Sequence, residues 1–252
     1  MRILFLLATA LSAQQWQSLF DGKNLSAWHD PRSMNPPGDS FTVEDGYIKS
    51  QKNPRVREDL LSKESYGDFE LSFDWRISPG GNSGVKYRIQ DHAWLLGRIP
   101  QDFPKFEDQV NATLRGKRKE RPSTGYAYVI GFEYQVIDDH GHADAKRGGK
   151  SQAGALYDMV GPSQKVAKPV GQFNESRIVV RGKQVEHWLN GVKVVDTRLD
   201  DEPVRASVVR RWGPQSPVTD LLTKLPKSSG PISIQNHNDE AWFRNIKIRR
   251  LK

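Results

Sequence analysis

Alternation with a period of two is the feature that most limits what this chain can fold into. Glu70–Arg76 reads ELSFDWR, with Leu71, Phe73 and Trp75 on one side and Glu70, Ser72, Asp74 and Arg76 on the other. Val85, Tyr87 and Ile89 alternate with Lys86 and Arg88. Over Tyr128–Ile137, Tyr128, Ile130, Phe132, Tyr134 and Val136 share one face, and Glu133, Gln135 and Ile137 share the other. Successive side chains of a strand point to opposite faces, so these runs predict half-buried strands. Arg177–Val180 and Val185–Leu189 are also strand-like, and Asn190-Gly191 before Val192 signals a tight hairpin. Pro231–Asn236 and Ala241–Arg249 continue the pattern, and only short pieces such as Asp59–Ser65 suit a helix. The pattern predicts an all-β fold, a two-sheet antiparallel β-sandwich or jelly roll.

No linker and no internal repeat divides the chain, so residues 14–252 are read as a single domain. Residues 91–125 and 198–230 are poor in strand signal and rich in Pro, Gly and charge. They are expected to be insertions at the rim of the sandwich, where function tends to lie. Residues 1–13, MRILFLLATALSA, have the build of a signal peptide: Arg2, then apolar Ile3–Leu11, with small residues at Ala8, Ala10 and Ala13. The mature chain is then expected to begin near Gln14, in the periplasm or outside the cell. No apolar run reaches the roughly 18 to 20 residues of a membrane span. The absence of cysteine removes disulfides, thiol catalysis and Cys-ligated zinc. The 38 Lys+Arg against 30 Asp+Glu give a net charge of +8, part of it in 115–121 and 247–252. No nucleic-acid motif accompanies this charge, so it is read as a solvated basic surface.

In a sandwich, the strand face turned from the core meets solvent or a cleft. That puts Lys86 and Arg88 outward on one strand, Glu133 and Gln135 on another, and Gln235 and His237 on a third. Should these strands be neighbours, they make a polar floor suited to a sugar: amides and guanidinium bind hydroxyls, and a carboxylate or imidazole moves protons. Glu133 is the candidate base, against the plainer reading of a surface carboxylate in an ion pair. His237 is a candidate acid or metal ligand, against a histidine merely hydrogen-bonded at a strand end. Arg88 is the candidate electrophile, following Asn82-Ser83-Gly84, where glycine permits close approach of a ligand. Asn82, Lys86, Gln135, Tyr157 and Gln235 are candidate substrate contacts. Asp138, Asp139, His140, His142 and Asp144 crowd the segment after the Glu133 strand. From it His142 and Asp144, with Glu133, form a candidate divalent-metal set; no organic cofactor is expected. His187 shares its face with Val185 and Leu189 and is expected to be buried. Trp94 and Trp212 lie in the insertions and are the better sugar platforms, whereas Trp16, Trp28, Trp75, Trp188 and Trp242 are expected in the core.

Several blocks of sequence also stand in a telling order. Ser18-Leu19-Phe20-Asp21-Gly22-Lys23-Asn24-Leu25 is followed by Trp28, then by Phe41-Thr42-Val43-Glu44-Asp45-Gly46 and Tyr66-Gly67-Asp68-Phe69-Glu70-Leu71. Gly81-Asn82-Ser83-Gly84-Val85 and the Phe132–Asp139 block come next, then His187-Trp188-Leu189-Asn190-Gly191, the Gly230–His237 block and Phe243-Arg244-Asn245-Ile246. Together, over residues 16–251, they resemble the 3-keto-disaccharide hydrolase family. The resemblance implies a concanavalin-like jelly roll and an exported bacterial enzyme acting on sugars oxidised at C3. A ketone at C3 acidifies the hydrogen on C2. A base removes it, the C1–O bond breaks by elimination, and water then adds across the double bond. Such a site needs a base, an electrophile on the C3 oxygen and an acid for the leaving group, not the two flanking carboxylates of an ordinary glycosidase. The basic insertion at 97–125 and the Asn236 and Asn238 neighbours of His237 depart from the family's pattern. A non-catalytic carbohydrate-binding module or an adhesion domain on the same fold are the competing readings. A converging titratable cluster favours the enzyme, and exposed Trp and Tyr favour the module.

Overall fold

The structure is a computed structural model that describes residues 15–33, 35, 38–97, 101–116 and 125–252. The signal-peptide segment 1–13 lies outside them, as does most of the basic run at 115–121. In chain order the strands begin with β1 (Gln17–Ser18), β2 (Trp28–His29), β3 (Phe41–Glu44), β4 (Tyr47–Ser50) and β5 (Leu60–Ser62). The long central strands follow: β6 (Phe69–Ile77), β7 (Asn82–Leu95), then helix α1 (Phe106–Arg115) and β8 (Tyr126–Ile137). After them come β9 (Asn174–Arg181), β10 (Gln184–Leu189), β11 (Val192–Arg198), α2 (Glu202–Trp212), α3 (Pro217–Lys224), β12 (Ser233–Ile234) and β13 (Ala241–Arg250).

The strands form two antiparallel sheets, as the alternation predicts. The large sheet runs β11-β10-β9-β6-β13-β4-β3, with β1 also on β13, and the small sheet runs β2-β5-β12-β7-β8. Their inner faces meet in an aromatic core. Phe73 of β6 stands edge-on to Tyr134 of β8 at 5.5 Å, and Phe69 to Tyr87 of β7 at 6.3 Å. Phe69, Phe73, Phe132 and Phe243 are all fully buried, each contributing about 1.5–3 kcal/mol through lost apolar surface. Two polar chains cross this core. The Tyr87 hydroxyl meets His187 Nε2 at 2.9 Å, and His187 Nδ1 meets the Gly154 carbonyl at 2.9 Å. The Ser176 hydroxyl of β9 accepts from Trp75 Nε1 and bonds the Tyr134 hydroxyl, both at 2.8 Å. His187 is therefore the buried, satisfied histidine expected from its strand face. Asn190 and Gly191 both have positive φ, as the two-residue hairpin between β10 and β11 requires.

Strand β7 carries the main irregularity. Tyr87 pairs with Phe132, but the next pair is Asp91 with Ile130, so Arg88, Ile89 and Gln90 bulge opposite Gly131 alone. A Cβ at Gly131 would sit 2.8 Å from the Tyr87 carbonyl oxygen, which is why this position is glycine.

Asp59–Ser65 is not helical. Its centre is β5, with Leu60 and Leu61 buried and paired on both edges, to β2 and β12. Among the described residues, the expected rim insertions hold three helices. α1 packs on β7, α2 and α3, and α3 packs on β7 and β8. Val204, Val208 and Trp212 of α2 are buried at a spacing of four. α3 starts at Ser216, whose hydroxyl accepts the Val218 and Thr219 amides, with Pro217 in the first turn. Among the described residues, no helix is long and apolar enough to cross a membrane.

Candidate functional site

A cavity of about 210 Å³ opens on the outer face of the small sheet. Its floor is Asn82 and Lys86 of β7, Glu133 and Gln135 of β8, and Gln235 just after β12. Its walls are Arg57, Tyr126, Tyr128, Tyr157, His237, Phe106 of α1 and Arg211 of α2. The strands are neighbours in the order β12-β7-β8, so Lys86, Glu133, Gln135, Gln235 and His237 converge from the three predicted outward faces, and Arg88 does not join them.

Lys86 and Glu133 are direct cross-strand partners. The Lys86 side chain is 2% exposed, and its ammonium lies 3.6 Å from Asp59 Oδ2 and 4.0 Å from Glu133 Oε2. It donates to the Val129 carbonyl at 3.3 Å and lies 4.8 Å above the Tyr128 ring. Burial raises the Glu133 carboxyl pKa, opposed by Lys86 and then Arg211. Burial also raises Asp59, opposed chiefly by Lys86. Burial pulls the Lys86 ammonium down, but the attraction of Asp59 and Glu133 outweighs it and its pKa is raised. Gly84 makes room for this arrangement: a Cβ there would stand 2.5 Å from Glu133 Oε1. The glycine thus admits the carboxylate itself, where close approach of a ligand was expected.

The amides supply recognition. Gln135 Nε2 donates to Asn82 Oδ1 at 3.2 Å. Gln135 Oε1 and Gln235 Oε1 are buried with no hydrogen-bond partner among the described residues. A buried acceptor left unmet costs about 1–3 kcal/mol, and both of these side chains line a cavity that a sugar hydroxyl can enter.

At one edge of the pocket, His142, His237 and Asp239 each offer a ligand atom within 4.8 Å of the others. Asp239 Oδ2 is oriented by the Asn82 backbone N–H at 3.1 Å. Burial and then Arg57 lower the His237 pKa to about 4, so its ring is neutral near pH 7 and keeps a free lone pair. That suits a metal ligand better than an acid. His142 Nδ1 accepts the Asp144 backbone N–H at 3.0 Å, a bond that metal ligation by either ring nitrogen would give up. Its net value of about 0.5–1.5 kcal/mol is small beside cation binding. Two imidazoles and a carboxylate with open positions fit a divalent ion. This differs from the expected Glu133, His142 and Asp144 set in two members: Glu133 faces Lys86, and the Asp144 carboxylate faces Arg147 at 3.0 Å.

Arg88 is also displaced from its expected role. The bulge gives it a φ of 50° and turns it away from the Lys86 face. Its guanidinium is buried against Asp68 at 2.9 Å, the Gly182 carbonyl at 2.7 Å and the Ser228 carbonyl. The guanidinium groups in the pocket are instead those of Arg57 and Arg211, neither singled out in the sequence. Tyr128 was expected on the core face with Ile130. The parity changes beside the bulge, and Tyr128 lines the pocket with Glu133. Tyr157 is half-buried in the wall, 5.2 Å beneath the Arg211 guanidinium. Trp212 is no exposed platform: it is buried 6.4 Å from Phe106 and 5.9 Å from Tyr128. Trp94 is half-buried, edge-on to His92. Trp16, Trp188 and Trp242, expected inside, lie half-buried on the large sheet's outer side beneath Arg249, Arg177 and Arg76. Asp239 offered only its nearness in sequence to His237; Asn238 between them has a φ of 65°, so a bend and not strand alternation brings the two side chains together. Asp59 and Arg57 had no signal, because their partners come from distant strands.

Residues 15–249 match the model of the 3-keto-alpha-glucoside-1,2-lyase-like domain. A 3-keto-disaccharide hydrolase of Bacteroides thetaiotaomicron is 28% identical over 268 residues, spanning 96% of this chain and 80% of that protein. Two solved structures from Parabacteroides distasonis, provisionally assigned as glycosyl hydrolases, share the fold. One has a TM-score of 0.68 at 23% identity and covers 94% of each chain. The other has a TM-score of 0.63 at 26% identity, covering 94% of this chain and all of its own.

Proposed function

The chain belongs to the 3-keto-alpha-glucoside-1,2-lyase-like family, and on that premise we propose that it cleaves 3-keto-glycosides by elimination followed by hydration. The observation that carries this reading is the Glu133 carboxylate, held beside Lys86 in a sugar-sized pocket with the unmet amide oxygens of Gln135 and Gln235.

Glu133 takes the proton from C2. The C2–H electron pair becomes the C1–C2 double bond, and the C1–O pair leaves with the departing oxygen. Arg57, Lys86 and Arg211 line the pocket and stabilise the charge that passes through the C3 oxygen. Burial raises the Tyr157 pKa well above its ordinary value, so the hydroxyl stays protonated and hydrogen-bonds the departing oxygen, which takes up the proton that Glu133 drew from C2. Water then adds, its oxygen to C1 and its proton to C2. A carboxylate whose pKa is raised by burial is the stronger base for the first step. His142, His237 and Asp239 would hold a divalent cation, which supplies Lewis-acid polarisation of a carbonyl or hydroxyl oxygen. The signal-like residues 1–13 accompany this proposal with export, so that substrate is met in the periplasm or outside the cell.

The test is incubation with a 3-keto-glucoside and with its unoxidised parent. Aglycone release from the ketone alone is expected. Glu133→Gln, nearly isosteric, should keep the fold and lose on the order of 10² in turnover. Equal release from the parent, or a native rate in the variant, would refute the mechanism.

A further inference from the structure

A second cavity, about 520 Å³, adjoins the first across Tyr157 and Arg211, which line both. Pockets for drug-sized ligands run to about 300–1,000 Å³. The first cavity, at about 210 Å³, therefore holds one sugar ring, and a C1 substituent must extend past its wall. The second cavity lies where that wall is shared.

Its lining is cationic. Lys105, Arg147, Lys150, Arg210 and Arg211 face it, against Glu107 and Asp158. The carboxylates are already taken: Asp158 by Arg210 at 2.8 Å and Glu107 by Arg211 at 3.2 Å. Arg147 pairs with Asp144. Lys105 and Lys150 have no carboxylate within ion-pair distance among the described residues, and Lys150 Nζ bonds the neutral Ser207 hydroxyl at 3.0 Å. Next to Lys150, Gly148 and Gly149 present bare backbone to the same cavity, since a Cβ at either would meet nothing within 4 Å. Both lysines are exposed, so their ammonium groups can turn to an anion that enters the concavity.

We infer that this cavity is the leaving-group subsite and that it takes an anionic substituent, a carboxylate or a phosphate carried by the group attached at C1. The inference rests on the glycoside-cleaving reading above and narrows its substrate class.

The experiment compares kcat/KM for three 3-keto-glucosides whose leaving groups are glucose, glucuronate and glucose 6-phosphate. The wild type should prefer an acidic leaving group by on the order of tenfold at low salt, the preference fading as salt rises. Preference for glucuronate alone identifies a carboxylate, and for glucose 6-phosphate alone a phosphate. The double variant Lys105→Gln/Lys150→Gln should bring the acidic-to-neutral ratio close to unity, its rate on the neutral substrate serving as the internal reference. Equal kcat/KM for all three in the wild type, or a preference that survives in the double variant, overturns the subsite while glycoside cleavage stands. If none of the three is cleaved, the glycoside-cleaving reading itself falls. Calorimetric titration with glucuronate and with glucose 6-phosphate then judges the cavity alone: no binding to the wild type, or equal binding to the double variant, overturns it.

Discussion

Replacing Lys86 by Met would remove the cation that two buried carboxylates share. At an effective dielectric constant of about 20, the attractions across 3.6 Å to Asp59 and 4.0 Å to Glu133 are each worth about 4–5 kcal/mol. Desolvation of the three ions cancels much of this, at several kcal/mol per ion. What truncation exposes is the uncompensated remainder, about 3–5 kcal/mol for breaking a buried pair. Met fills the volume of the alkyl stem, so packing adds little. The loss has a sign with pH. Burial already raises both carboxyl pKa values, and Lys86 is the chief influence opposing it. Without Lys86 both rise further, so the native state holds protons that the unfolded chain has released. Stability of the variant must then fall as pH rises through the window between unfolded and folded values. Urea unfolding of both proteins at acid, neutral and mildly alkaline pH reads this out: the gap should be small in acid and widen toward 3–5 kcal/mol. The base limb of the kcat/KM profile should move upward in parallel, because Glu133 must lose a more tightly held proton. A gap below about 1 kcal/mol, or one that does not change with pH, would mean that the carboxylates do not depend on Lys86.

Arg88→Met should cost about 1–3 kcal/mol in urea unfolding, because it strands the Gly182 and Ser228 carbonyls and leaves the half-exposed Asp68 unpaired, yet leave kcat/KM near native; a large fall in kcat/KM with stability intact would return Arg88 to the reaction. Burial lowers the His187 pKa to about 4, so its neutral ring should make the fold lose up to about 3 kcal/mol as pH drops from about 6.5 to 4. His187→Gln should lack that slope, and an unchanged slope would assign it to other groups. After loading with a divalent metal and dialysis, His237→Ala and Asp239→Asn should each lose on the order of tenfold or more in affinity, whereas Asp144→Asn should keep the metal. Elemental analysis decides among them, and retention by all three variants would remove the site.

Alternation was enough to place β6, β7 as far as Tyr87, and β8 from Ile130 to Val136, and with them Lys86, Glu133 and Gln135 on one outward floor, whereas Ile137, expected outward, lies in the core. It failed at Arg88 and Tyr128, where a bulge of three residues against one breaks the period. The clue was Gly131 alone inside a strand pattern, which marks a close backbone approach. Period two also does not say which side of a sheet is inside. Trp188 and Trp242 alternate with buried Leu189 and Phe243, and that phase puts them outward. α2 was legible in Val204, Val208 and Trp212, but three arginines in the same segment weakened its apolar stripe. Asp59 and Arg57 were not legible at all, since their place in the pocket follows from β5 pairing with β12, a contact more than 170 residues away in sequence.

Two greasy sheets laid face to face have little to stop them sliding, because hydrophobic contact has no direction. The Tyr87–His187–Gly154 and Trp75–Ser176–Tyr134 chains act as dowels between them. A shear that pulled either dowel would strand buried polar atoms at about 1–3 kcal/mol each. Tyr87 follows Lys86, and Tyr134 follows Glu133, so the dowels grip the two strands from behind at the very residues beside the charged pair. The spacing of base and ammonium is therefore set in part from the far sheet, by a serine on β9 and a histidine on β10 that never meet the substrate.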